Sequence, residues 1–157
     1  LTFAVGVWLP NTFSNQYLQA LFGLPGTFLH ELAHYGFALI LNGNPGTFSI
    51  LPTFSGGQMN SLGHVTFYPN WYNAATVALA PILVAPASVY LVALGSRLSI
   101  LWNGVLVYAA ACGFYACIPS SVDVNIALSE PLSLLFAIPI LAASIWIWVR
   151  LIRREIR

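Results

Sequence analysis

The 157-residue chain is 59% apolar and 6% charged, which is one domain's worth of length and excludes an ordinary soluble domain. A formal net charge of +1, with no lysine and no basic stretch interleaved with aromatics, excludes a nucleic-acid surface as well. What remains is an all-α polytopic membrane protein whose basic residues are Arg97 and the terminal group Arg150, Arg153, Arg154 and Arg157.

Residues 1–9 are apolar but too short to span a bilayer, and a polar break follows over 10–16. The chain opens at Leu1 and its one methionine is Met59, so the sequence is compatible with an upstream targeting segment. The first span is expected over 17–41. Pro25-Gly26 either kinks that helix or starts a fresh one near Thr27, and Asn42-Gly43-Asn44-Pro45-Gly46 ends it. β-branched and aromatic residues on both sides of a Gly-rich turn predict a hairpin or re-entrant segment over about 46–69. Such a segment either offers an edge strand to an extended substrate or lies at the interface with its aromatics among the headgroups.

Further spans are expected over 72–94, which carries Pro81 and Pro86, over 100–118 up to Pro119, and, after a short polar stretch, over 131–149. That makes about four transmembrane helices in a single domain, 1–157. Trp146, Trp148 and the terminal arginines read as interface anchors, and the positive-inside rule puts the C-terminus and Arg97 on the cytoplasmic side. The same count puts the 43–71 hairpin and the 119–130 loop on the outer side, if the hairpin does not cross. Cys112 and Cys117, five apart in an expected helix, point in different directions and read as packing residues rather than a disulfide.

The chemistry concentrates in His30-Glu31-Leu32-Ala33-His34, inside the first span. Positions i and i+4 of a helix lie one above the other, so the two imidazoles can grip one metal ion while Glu31 stands beside them. Neutral imidazole suits zinc, and a carboxylate that does not ligate can take a proton from water. The competing reading is a hydrogen-bonded His and Glu cluster with no metal, and the cost of ionisable groups in a span weighs against it.

A catalytic zinc needs a third protein ligand. Asp123, the only aspartate, ranks first, although Ser120-Ser121-Val122-Asp123 also has the spacing of a helix-capping box. The two roles can coexist. His64 ranks second: it is a possible third ligand, a possible donor to a developing oxyanion, or an exposed loop histidine. Glu130, before Pro131, reads as a helix boundary, and Glu155 as a solvated partner of the arginines.

These landmarks resemble the site-2 protease family of intramembrane zinc metalloproteases. The resemblance rests on His30-Glu31-Leu32-Ala33-His34 in a span, the hairpin region after it, Ala78-Leu79-Ala80-Pro81, and Pro119 followed by Asp123, together covering residues 25–126. It implies Zn2+ held by His30, His34 and Asp123, Glu31 as catalytic base, and a membrane protein or peptide substrate cleaved after local unwinding of its helix. Val124 stands where the family usually has Gly after the ligand Asp, no Asn precedes Pro119 nearby, and the middle span lacks a Gly before Pro81. These departures mark a divergent or minimal member.

The alternative is a non-catalytic protease-like subunit of a larger membrane complex, and a weaker one is a membrane hydrolase of small or lipid amides. Depth poses a conflict. A helix starting at Thr27 puts His30 near one face of the membrane, while Asp123 follows a whole span. The conflict is relieved either by a helix that starts near Tyr17 or by a re-entrant turn after Pro119.

Overall fold

The computed structural model describes residues 16–55 and 58–156. The expected apolar stretch 1–9 and most of the polar break after it lie outside the described residues, as do Gly56, Gly57 and Arg157. The described chain is mostly helical, with a small β segment between the first helix and the rest.

Helix α1 (Gln16–Ile40) runs 25 residues through Pro25 without a break. Pro25 has no N–H for the carbonyl four residues back, at Leu21. The carbonyl of the next residue, Phe22, accepts from the Tyr108 hydroxyl and, at 3.5 Å, from the Cys112 thiol. A neighbouring helix thus supplies donors where the proline disturbs the ladder. Gly26 allows the close approach, since a Cβ there would stand 2.5 Å from the Cys112 carbonyl oxygen. The helix ends in a Schellman motif: Asn42 takes a left-handed φ of 51°, Gly43 N donates to Ala38 O at 2.7 Å, and Asn42 N to Leu39 O at 3.3 Å.

Four short strands follow, β1 (Phe48–Ser49), β2 (Thr53–Ser55), β3 (Gln58–Ser61) and β4 (His64–Val65). The outer pair joins antiparallel with Ser49 opposite His64, and the inner pair joins antiparallel with an irregularity at Thr53/Phe54. Phe48 packs edge-on against Phe28 and Tyr35 of α1, which fixes the base of this segment on the helix. Asn73, closed to solvent, holds the two ends together through Leu41 O and Tyr68 O.

The next path is α2 (Ala74–Leu79), a 3-10 turn over Ala80–Leu83, and α3 (Val84–Gly95). The expected 72–94 span is therefore interrupted at Pro81, where the tighter turn accommodates the missing donor. Ala75 and Ala78 of α2 meet Ala127 of α5 (Ser121–Ser129) and Ala137 of α6 (Ser133–Ile156), small residues that let backbones pack close.

Helix α4 (Ile100–Ala116) packs on α3 and α1, and α5 leaves it at a 54° bend. The sequence reading of 119–130 as a short polar stretch is corrected here. Pro119 stops one helix and the Ser120 cap starts another, with Asp123 and Ala127 on its buried face. The last helix begins at Ser133 rather than 131 and runs past 149 to Ile156, carrying Arg153 and Arg154 in its final turn. Arg97 pairs with Glu155 at 3.1 Å, bringing the end of α3 and the end of α6 together.

Two described stretches are long and apolar enough to cross a membrane, Ala74–Gly95 and Ser133–Ile156, and a third if the bent pair Ile100–Ala116 and Ser121–Ser129 makes one span. Helix α1 has the length, but Gln16, Gln19, Thr27, His30, Glu31 and His34 dilute its hydropathy. This is compatible with an integral membrane protein.

Candidate metal centre

His30 and His34 stand one turn apart in the middle of α1, with their Nε2 atoms 3.1 Å from each other. Their Nδ1 atoms face backbone carbonyls, His30 that of Ala116 at 2.6 Å and His34 that of Val77 at 2.8 Å. Both carbonyls are free for a local reason. Val77 lies four residues before Pro81, so its α-helical donor is missing; the Ala80 N–H takes one lone pair and His34 the other. Ala116 lies three before Pro119 and four before Ser120, whose N–H goes to Asp123 Oδ2 at 2.7 Å instead.

Those contacts settle the tautomers. A carbonyl only accepts, so each Nδ1 carries the proton, and in the neutral ring each Nε2 is then a bare lone pair. Two such lone pairs point at one another and at a carboxylate: Asp123 Oδ1 is 3.3 Å from His34 Nε2, and Asp123 Oδ2 is 3.6 Å from His30 Nε2. Acceptors converge on acceptors. Such an arrangement calls for a cation at its centre, either a metal ion or one proton on an imidazole.

Asp123 is delivered by the capping box at the start of α5. The Ser120 N–H donates to its carboxylate, and its own N–H donates to Ser120 Oγ at 3.2 Å. Capping engages Oδ2, the oxygen that also stands 3.6 Å from His30, and leaves Oδ1 uncapped toward His34. The 54° bend at Pro119 and the early start of α1 together bring His30, His34 and Asp123 level, with one donor atom from each within 4.8 Å of the others. Three donors bonded to one tetrahedral ion at 2.0–2.2 Å stand roughly 3.3 Å apart. The two imidazole nitrogens stand 3.1 Å apart and the two Asp123 oxygens 3.3 and 3.6 Å from them, a donor set of the kind that could hold a borderline divalent cation.

Glu31 is 7% exposed and, among the described residues, no hydrogen bond holds its carboxylate. It shares with the three donors a cavity of about 720 Å³, walled by α1, the 59–65 segment, the end of α4 and the start of α5. His64 stands on that wall, exposed, and outside the three-donor group. Glu130 caps the end of α5, where its carbonyl accepts from Ser133. The sequence reading had no part for the Ala116 and Val77 carbonyls. The available signal was a proline three or four residues beyond each, since such a proline leaves a helix carbonyl without its donor.

No family model matches the chain, and no curated protein or solved structure matches it.

Proposed function

We propose that this protein is a zinc endopeptidase that works inside the membrane on a membrane-embedded peptide substrate. The observation that carries the reading is the convergence of two proton-free imidazole nitrogens and a carboxylate beside a buried glutamate whose carboxylate has no hydrogen bond among the described residues. His30, His34 and Asp123 would hold the ion, and the donor spacing supports the fit. Zinc so held supplies a Lewis acid for the scissile carbonyl and lowers the pKa of a water toward about 7.

With the ion bound, Glu31 would accept at its carboxylate a proton from the attacking water as the C–O bond to the scissile carbonyl forms, and would pass it to the leaving nitrogen as the C–N bond breaks. The Nδ1 contacts keep both rings from turning, so their Nε2 atoms stay aimed at one point. The polar groups stand at the inner wall of the cavity, while Phe22, Tyr115 and Ile118 give the rest of it an apolar lining suited to a segment drawn from lipid.

We place the C-terminus in the cytoplasm and count four spans, α1 among them. Support comes from the Arg97–Glu155 pair, which gathers Arg97, Arg153 and Arg154 at one end of the bundle. A non-catalytic subunit of a membrane complex is the second reading. It is favoured by the 3.1 Å separation of the two Nε2 atoms, because one added proton would satisfy the cluster without metal.

Metal analysis of the purified protein separates the two: one zinc per chain supports the peptidase, and none under chelator-free conditions supports the subunit. Glu31→Gln is expected to keep the zinc and lower kcat by about 10²- to 10⁴-fold. Turnover at the wild-type rate in that variant would sink the mechanism.

A further inference from the structure

We propose that Gly63, in the turn between β3 and β4, is a positioning residue for Glu31. The hairpin lays bare backbone against the stem of the glutamate and so holds its carboxylate at the centre. Its catalytic consequence rests on the peptidase reading; the contact itself rests on packing alone.

A Cβ on Gly63 would stand 2.8 Å from Ser49 O, 2.9 Å from Thr27 Cγ2 and 3.0 Å from Glu31 Cγ. Real Cβ atoms do not approach neighbours below 3.0 Å, so a side chain here forces something to move. The backbone at Gly63 is not in the left-handed region, so the turn does not demand glycine. The demand is steric, and two of the three atoms that make it belong to the α1 face that carries the glutamate. Thr27 and Glu31 are i and i+4 on that face, 6% and 7% exposed.

The corner is held from both sides. His64, its next residue, pairs with Ser49 in the ladder, and Phe48 beside Ser49 is wedged against Phe28 and Tyr35. Glu31 has no hydrogen bond to fix its carboxylate, so contact along its methylene stem is what restricts its rotamers. An added methyl at 63 meets backbone on the Ser49 side and a helix on the other. The part able to yield is the hairpin, which lifts and frees the glutamate to turn.

The test reads amide hydrogen exchange in the full-length protein, which needs neither metal nor turnover. The reporters are Gly46 N, bonded to Thr66 O at 2.8 Å, and Thr66 N, bonded to Thr47 O at 3.1 Å. Gly63→Ala is expected to speed their exchange about tenfold or more while amides around His30 keep theirs. In a Thr27→Ala/Glu31→Ala background, which lacks two of the three obstructing atoms, the same change is expected to speed exchange less than about threefold.

Unchanged exchange in Gly63→Ala, or equal acceleration in both backgrounds, overturns the contact. If Gly63→Ala alone fails to fold, the triple variant is expected to fold, and its failure overturns the contact too. In the zinc-loaded enzyme Gly63→Ala is expected to lower kcat by about 10- to 100-fold with KM and zinc content unchanged. Wild-type kcat, or zinc loss in place of a kcat effect, overturns the positioning role. A wild-type protein that neither binds zinc nor cleaves sinks the peptidase reading instead, while the exchange experiment still decides the contact.

Discussion

Two sides of the bundle treat their polar groups in opposite ways. Where α2 meets α5 and α6, alanines bring the backbones together and the side-chain hydroxyl between them is fully engaged. Ser133 Oγ donates to Glu130 O at 2.6 Å and accepts from Ala75 N at 2.9 Å, an amide that the first turn of α2 leaves unpaired. Around the cavity, α1, the hairpin and the α4–α5 bend leave three lone pairs pointing at one spot and a buried glutamate without a donor. The first side is built to exclude and the second to receive. On the packed side, among the described residues, the buried Thr76 hydroxyl of α2 is the exception, having no hydrogen-bond partner.

The comparison breaks most readily at Asp123. Asp123→Asn keeps an oxygen for the Ser120 N–H but removes the charge and most of the donor strength, so on the proposed zinc reading the affinity for zinc is expected to fall by about 100-fold or more while α5 stays capped. A titration against a competing chelator, with helicity followed by circular dichroism, checks both halves. Equal zinc affinity would remove Asp123 from the ligand set.

On the alanine side, Ala78→Leu inserts a branched side chain into a contact with no room. The expected cost is about 1–3 kcal/mol in detergent unfolding, with zinc content intact in the folded fraction. Ser120→Ala removes the acceptor for Asp123 N but not the Ser120 N–H donor, for a loss of about 1 kcal/mol and only a few-fold weaker zinc binding. A larger effect on zinc than on unfolding would mean that Ser120 serves the metal more than the helix.

Arg97→Gln is the mildest change, because the guanidinium is half exposed and an exposed pair contributes about 0.2–1 kcal/mol. A shift no larger than that in the unfolding midpoint, smaller still at high salt, is the expected reading.

Much of the site could be read without coordinates because it is local. His30 and His34 share a helix face by spacing alone, and Ser120 to Asp123 has the four-residue pattern that sets a cap. Residues 121–129 were harder. Ser121, Asp123 and Asn125 look like a loop one at a time, and their helix follows from a cap one residue past a proline and from the burial of Asp123 and Ala127 on a common face. The limits of the last helix were missed for a related reason, since arginines that mark the membrane surface do not end a helix whose backbone bonds continue in water.

What the sequence determined by itself is the apolar helical character, the histidine pair with its neighbouring glutamate, and the break at Pro119, all consequences of residue type and short spacing. Tertiary structure alone decided that Asp123 comes level with the histidines, that His64 stands apart from them, and that the carbonyls freed near the two prolines are the ones that orient the rings. Each of these depends on a bend of 54° and on contacts between residues 43 to 93 positions apart. Chain spacing of a few residues carries no information about which distant groups a bend will bring into contact.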